Sequence, residues 1–125
     1  MPVQRVEFLE QAFADDISDR RFLPYLQLHE YEAYLFSDPG WFGFFYDHRE
    51  SQIANFQAIA NSYATPELIN DGEQTAPSKR ILTQFPDYAK AFTGPRMAEL
   101  IGLDVIRAKC PHFNAWLTRL EKLGA

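Results

Sequence analysis

"QLHEYEAYLF", residues 27–36, sets His29, Glu30 and Glu32 inside a run apolar enough for a buried strand or a core helix. Burying such groups is costly unless they are paired or ligate something. The backbone state of this stretch therefore decides both the fold and the chemistry. If a strand continues through residue 32, Glu30 and Glu32 share a face roughly 7 Å apart, which suits one metal with a bridging water. If a helix begins at His29, then His29 and Glu32 are neighbours and Glu30 points elsewhere. In a third arrangement a carboxylate caps the following helix and His29 bonds to backbone. A zinc-peptidase motif is excluded, because Ala33 stands where the second histidine would be.

Working outward, Arg21–Leu28 alternates as a strand, with Pro24 placing it at a sheet edge or a bulge. Before it, Val3, Val6, Leu9, Phe13 and Ile17 make a helical stripe over about Pro2–Ile17, broken at Ser18–Arg20. After it the pattern turns helical from Glu30 to about Phe36 and stops at Ser37-Asp38-Pro39. Asp38-Pro39, Thr65-Pro66, Thr75-Ala76-Pro77 and Gly94-Pro95 each pair a capping residue with a first-turn proline. Cys110-Pro111 repeats the pattern with a poorer cap. Gly102 ends the helix beginning near Pro95, and a short helix carrying Val105 and Ile106 follows. The last helix shows one apolar face, made by Phe113, Trp116, Leu117, Leu120 and Leu123. The expected fold is mainly α with one short strand, in a single or partial domain over residues 1–125.

"WFGFFY", Trp41–Tyr46, carries aromatics all round and must be covered on more than one side, by core, by a second copy or by another protein. Residues 1–50 hold ten acids and four bases, a charge of −6; residues 51–125 hold seven acids and eight bases, +1. Neither half has the basic stripe of a dedicated nucleic-acid binder. One cysteine, Cys110, rules out an internal disulfide and fits a reducing cytoplasm. No signal peptide or membrane-spanning run is visible, so a cytoplasmic location is expected.

Asn70-Asp71-Gly72 signals a tight turn, after which Ser78, Lys79 and Arg80 occupy the first turn of a helix opened by Pro77. Cations there oppose the helix dipole unless an anion is bound. Two readings follow: a phosphate site, or a structural cluster in which Asp71 and Glu73 neutralise Lys79 and Arg80. Cys110 and His112 flank Pro111, and this spacing argues against a catalytic cysteine.

"RFLPYLQLHEYEAYLFSDP" (21–39), "INDGEQTAPSKRILTQFPDYAKAFTGP" (69–95) and "IGLDVIRAKCPHFNAWLTRL" (101–120) resemble the C-terminal half of the bacterial family called domain of unknown function 4276. The likeness covers about Val6–Leu120 and is weakest at residues 40–64. It implies a Toprim-like α/β fold whose first strand and acidic turn lie in an N-terminal half not found here. It also implies a Mg²⁺- or Mn²⁺-dependent phosphodiesterase or nuclease that works with an AAA- or SMC-like ATPase in mobile-element (phage) defence, with nucleic acid among its partners. On that resemblance Glu30 and Glu32, with His29 as a further ligand, would bind metal. Ser78, Lys79 and Arg80 would bind phosphate, and Glu30, Glu32 and Lys79 would be catalytic. The rival expectation is a non-catalytic helical interaction module, docking an ATPase or a second copy through Trp41–Tyr46.

Overall fold

The contested run folds as a 3₁₀ helix, Tyr31–Ser37, entered through Glu30 in extended conformation. Everything from Glu32 to Ser37 is buried, and helices from later in the chain pack against this axis. The computed structural model describes residues 2–69, Gly72 and residues 74–123. Asn70, Asp71 and Glu73, and with them the expected turn and its charge cluster, lie outside the described residues.

There are seven α-helices among the described residues: α1 (Pro2–Ile17), α2 (Phe42–Phe45), α3 (Glu50–Asn61), α4 (Pro77–Gln84), α5 (Thr93–Ile101), α6 (Leu103–Lys109) and α7 (Pro111–Lys122); of these α3, α4, α5 and α6 pack directly on that axis. Two short 3₁₀ turns, Pro39–Trp41 and Pro66–Leu68, open at expected prolines. At the second, Thr65 caps as its sequence predicts, its hydroxyl accepting from the Glu67 N–H at 3.2 Å. Gly102 ends α5 at φ +92°, a left-handed position that glycine takes without strain. None of the helices described is long and apolar enough to cross a membrane.

The expected strand is the main correction. Residues 22–27 run without turn or bend, but among the described residues there is no strand. A strand exists only by pairing. Here Leu26 gives its N–H to the Glu10 carboxylate at 2.6 Å, and its carbonyl lies 3.1 Å from His112 Nε2. Side chains occupy the place of a neighbouring strand. The fold is mainly α, and the described residues contribute no strand to a Toprim-like sheet.

The core is aromatic. Phe42 stacks on Phe85 at 5.2 Å between ring centroids, Tyr46 on Phe85 at 4.4 Å, and Phe36 meets Phe56 edge-on at 5.3 Å. "WFGFFY" is thus largely absorbed: Phe42 is fully buried, Trp41, Phe45 and Tyr46 pack against the core, and Phe44 alone of its aromatics is exposed. The α1 stripe behaves in the opposite way. Leu9, Phe13 and Ile17 are exposed, as is Phe8 at 74%, while the buried residue of this helix is Glu10.

Candidate functional site

The start of α4 is the first place where expected functional residues meet. Pro77 supplies a preset first-turn φ, but the preceding residue, Ala76, has no side chain with which to cap. The cap comes from 48 residues upstream. The Ser78 N–H donates to Glu30 Oε1 at 3.2 Å, and the Ser78 hydroxyl lies 2.7 Å from Oε2 and 3.0 Å from Oε1. A charged acceptor at a helix N-terminus is favoured by both the dipole and the unsatisfied amides. Glu30 therefore fills the position that a phosphate would take. Lys79, which follows Ser78 in the chain, is exposed, and Arg80 turns back to donate through Nε to the Thr75 carbonyl at 2.6 Å.

Glu32 goes elsewhere. A strand would have put Glu30 and Glu32 on one face. A 3₁₀ helix advances about 120° per residue, so the extended Glu30 and the helical Glu32 diverge. Glu32 is 0% exposed; Tyr88 donates its hydroxyl to Oε2 at 3.3 Å, and Lys90 Nζ sits 3.5 Å from Oε1. Burial, and then the Glu32 charge, push the Tyr88 phenol well above its ordinary range. Gly94 makes this contact feasible, because a Cβ there would come within 2.9 Å of the Tyr88 hydroxyl oxygen. His29 lines a cavity of about 730 Å³ with Pro2, Arg5, Val6, Phe8 and Leu28.

These positions do not fit a shared metal. Glu30 is held by Ser78, Glu32 is sealed beneath Tyr88 and Lys90, and among the described residues no three His, Cys, Asp or Glu side chains gather for a cation.

A second helix start, at the expected Pro111, has a cap that sequence pattern does not name. At α7 the residue before Pro111 is Cys110, which makes no side-chain cap. Glu67, 3% exposed, supplies it: Oε1 accepts from the His112 N–H and Oε2 from the Phe113 N–H, each at 3.0 Å. The His112 ring then reaches Glu10 Oε2 and the Leu26 carbonyl, both at 3.1 Å. Both neighbours of Nε2 are acceptors, so Nε2 carries the proton. Tyr25 stacks between His112 and Trp116 at 5.2 and 4.8 Å and shares a 2.5 Å hydroxyl contact with Tyr34. Glu10 tethers α1 and residues 22–28 to α7, and Glu67 ties the start of α7 to the Pro66–Leu68 turn. Cys110 is fully buried and its thiol is pushed up to about 12, chiefly by burial, so nucleophilic chemistry is not available to it at neutral pH.

Two signals in the sequence could expose these acids. Glu10 sits in the 3-4-3-4 register of Val3, Val6, Phe13 and Ile17, where an apolar residue is expected. Ala76 and Cys110 are both poor caps in front of a proline, which calls for an acceptor from elsewhere.

A comparison with protein families matches residues 1–121 to one whose description reads "Domain of unknown function (DUF4276)". No curated protein and no solved structure matches the chain.

Proposed function

Because the chain belongs to the family of domain of unknown function 4276, whose description carries no activity, we propose its function from geometry: a helical protein-interaction module. The observation that carries this reading is the Glu30 carboxylate on the Ser78 N–H and hydroxyl. An anion site at the start of α4 is thereby closed by the chain itself, and the expected metal and phosphate residues serve as folding clamps. What stays uncovered is apolar: Phe8, Leu9, Phe13 and Ile17 along α1, and Phe44 at the end of the aromatic segment. An apolar helix face in water is the usual mark of a docking surface.

Calorimetric titration of Mg²⁺ and Mn²⁺ into wild type and into Glu30→Gln/Glu32→Gln tests the reading. The module predicts no saturable heat in either protein. Binding in wild type that disappears in the variant would overturn it.

One observation favours a second reading, the metal-dependent phosphodiesterase or nuclease acting with an AAA- or SMC-like ATPase. Glu30 and Ser78 do meet, and the next residue in the helix, Lys79, is exposed. In that reading a substrate phosphate displaces Glu30 from α4, Ser78 and Lys79 hold it, and the freed carboxylate becomes available for chemistry. A Toprim-like sheet would have to come from strands outside the sequence described.

A further inference from the structure

We infer that α1 pairs, antiparallel, with α1 of a second copy of this chain. The inference rests on the interaction-module reading and gives that module its partner. At about 100° per residue, Pro2, Arg5, Leu9, Ala12, Phe13 and Asp16 fall on one face of this helix. All six are exposed, with Leu9 at 42% and Phe13 at 51%, and the exposed Phe8 and Ile17 flank them. Glu10 lies on another face, where its carboxylate fixes α1 to Leu26 and His112. A buried tether thus turns the apolar face to solvent. Pro2, Arg5, Leu9, Ala12 and Asp16 are spaced three and four apart, the pattern by which two helices pack side by side.

Charge selects the occupant and the direction. This face carries one cation toward its start, Arg5, and one anion toward its end, Asp16. The helix dipole favours acids in the first turn and bases in the last, and α1 has neither. Among the described residues Arg5 and Asp16 make no hydrogen bond and no ion pair. Within one chain both charges are therefore misplaced. An antiparallel copy corrects this at both ends. It sets Arg5 level with Asp16 of the other copy and Leu9 level with its Ala12, and the reverse by symmetry. A parallel copy would set like charges side by side. The antiparallel contact is self-complementary, as a two-fold interface requires, and it also brings opposite dipole ends together.

The contact is small but has room to extend. Phe8 and Phe13 are rings left in water, each able to bury about 150–250 Å². Phe13 also lines an apolar cavity of about 550 Å³ with Phe22, Leu23, Leu26 and Trp116, which continues the surface beside α1. Specific interfaces bury about 1,200 Å² or more in total. A helix pair with this margin lies at the low end, so a weak dimer is expected, dissociating in the micromolar range.

Sedimentation equilibrium of the full chain from about 1 to about 200 µM, with far-UV circular dichroism on each variant, tests the pairing. Wild type is expected to show a concentration-dependent monomer–dimer equilibrium. Arg5→Asp and Asp16→Arg should each weaken the dimer about fivefold or more, least so at high salt, because each sets two like-charged pairs in contact. Joined in one chain, the two reversals should restore it. Each reversal suits the helix dipole, so a lost dimer does not reflect a weaker helix. Leu9→Glu should abolish the dimer with helicity unchanged, and Phe44→Ser should leave it intact. A chain monomeric throughout overturns the inference. So does a dimer indifferent to the single reversals, not restored by the double one, or disrupted only by Phe44→Ser. A monomer that binds no metal leaves the module reading standing, and a dimer that binds metal leaves the pairing standing, so the two failures are distinguishable.

Discussion

The starts of α4 and α7 are built alike and closed differently. Each opens on a proline behind a residue that cannot cap, Ala76 or Cys110, and each imports a glutamate from a distant segment, Glu30 from just before the Tyr31–Ser37 3₁₀ helix and Glu67 from the Pro66–Leu68 turn. Glu67 gives one oxygen to each of two successive backbone N–H groups and is almost wholly buried. Glu30 meets one backbone N–H and one hydroxyl of the same residue, is only half-buried, and its partner Ser78 is followed in the helix by an exposed lysine. The first geometry is that of a structural pin. The second is a plug, and a plug can be exchanged for another anion.

The difference should appear first in stability. Glu67→Ala leaves two N–H groups unsatisfied in a buried site, and each such loss costs about 1–3 kcal/mol. A drop of about 3 kcal/mol in urea-unfolding free energy is expected, with the Pro66–Leu68 turn detached from α7. Glu30→Ala exposes the Ser78 N–H and hydroxyl to water, which satisfies them, so about 1 kcal/mol is expected from the lost cap. Equal losses in the two variants would erase the distinction between pin and plug.

Local signals make much of the fold legible. The bounds of α1, the stop at Gly102 and the proline-opened starts follow from periodicity and proline placement within a few residues. Of the expected side-chain caps, Thr65 bonds as predicted, Asp38 makes none, and before Pro77 the cap position falls on Ala76. The strand expected at 21–28 does not form, because alternation describes one chain while a strand needs two. Glu30 and Glu32 stand out in the sequence as unusual, yet their divergence depends on a seven-residue 3₁₀ run, longer than propensity would suggest. For Glu67 the sequence signals only that the start of α7 lacks a local cap; which residue supplies it is set by packing between segments 45 residues apart. The aromatic segment 41–46 suits core or interface equally; only the packed structure shows that Phe42 takes the centre and Phe44 the surface.

Chemical reactivity sharpens the contrast at α7. Helix N-termini usually lower a thiol's pKa, but burial raises that of Cys110 to about 12. At pH 8 about one thiol in 10⁴ is then ionised, and iodoacetamide should leave the native protein unmodified over hours, as followed by intact-mass spectrometry. Glu67→Ala, by loosening the start of α7, should admit the reagent, whereas Glu30→Ala should not. Rapid labelling of the wild type would mean that the Glu67 end is as open as the Glu30 end.

The smallest effect is the most discriminating. If Glu30 occupies an anion site, removing it should leave Ser78, the α4 amides and Lys79 ready for sulfate or inorganic phosphate. At an anion concentration equal to its Kd, the Glu30→Ala variant would gain about 0.4 kcal/mol by mass action, beyond the change seen in chloride at matched ionic strength. Wild type should gain nothing specific, because its own carboxylate competes at the effective concentration of a tethered group. Glu67→Ala should also gain nothing, since the space it leaves is enclosed. Adding Lys79→Ala to Glu30→Ala should abolish the gain, which separates a site built from Lys79 and the helix start from a general salt effect. Thermal unfolding across an anion series measures all four proteins, and an equal response from Glu30→Ala and Glu67→Ala would reduce both carboxylates to the same structural role.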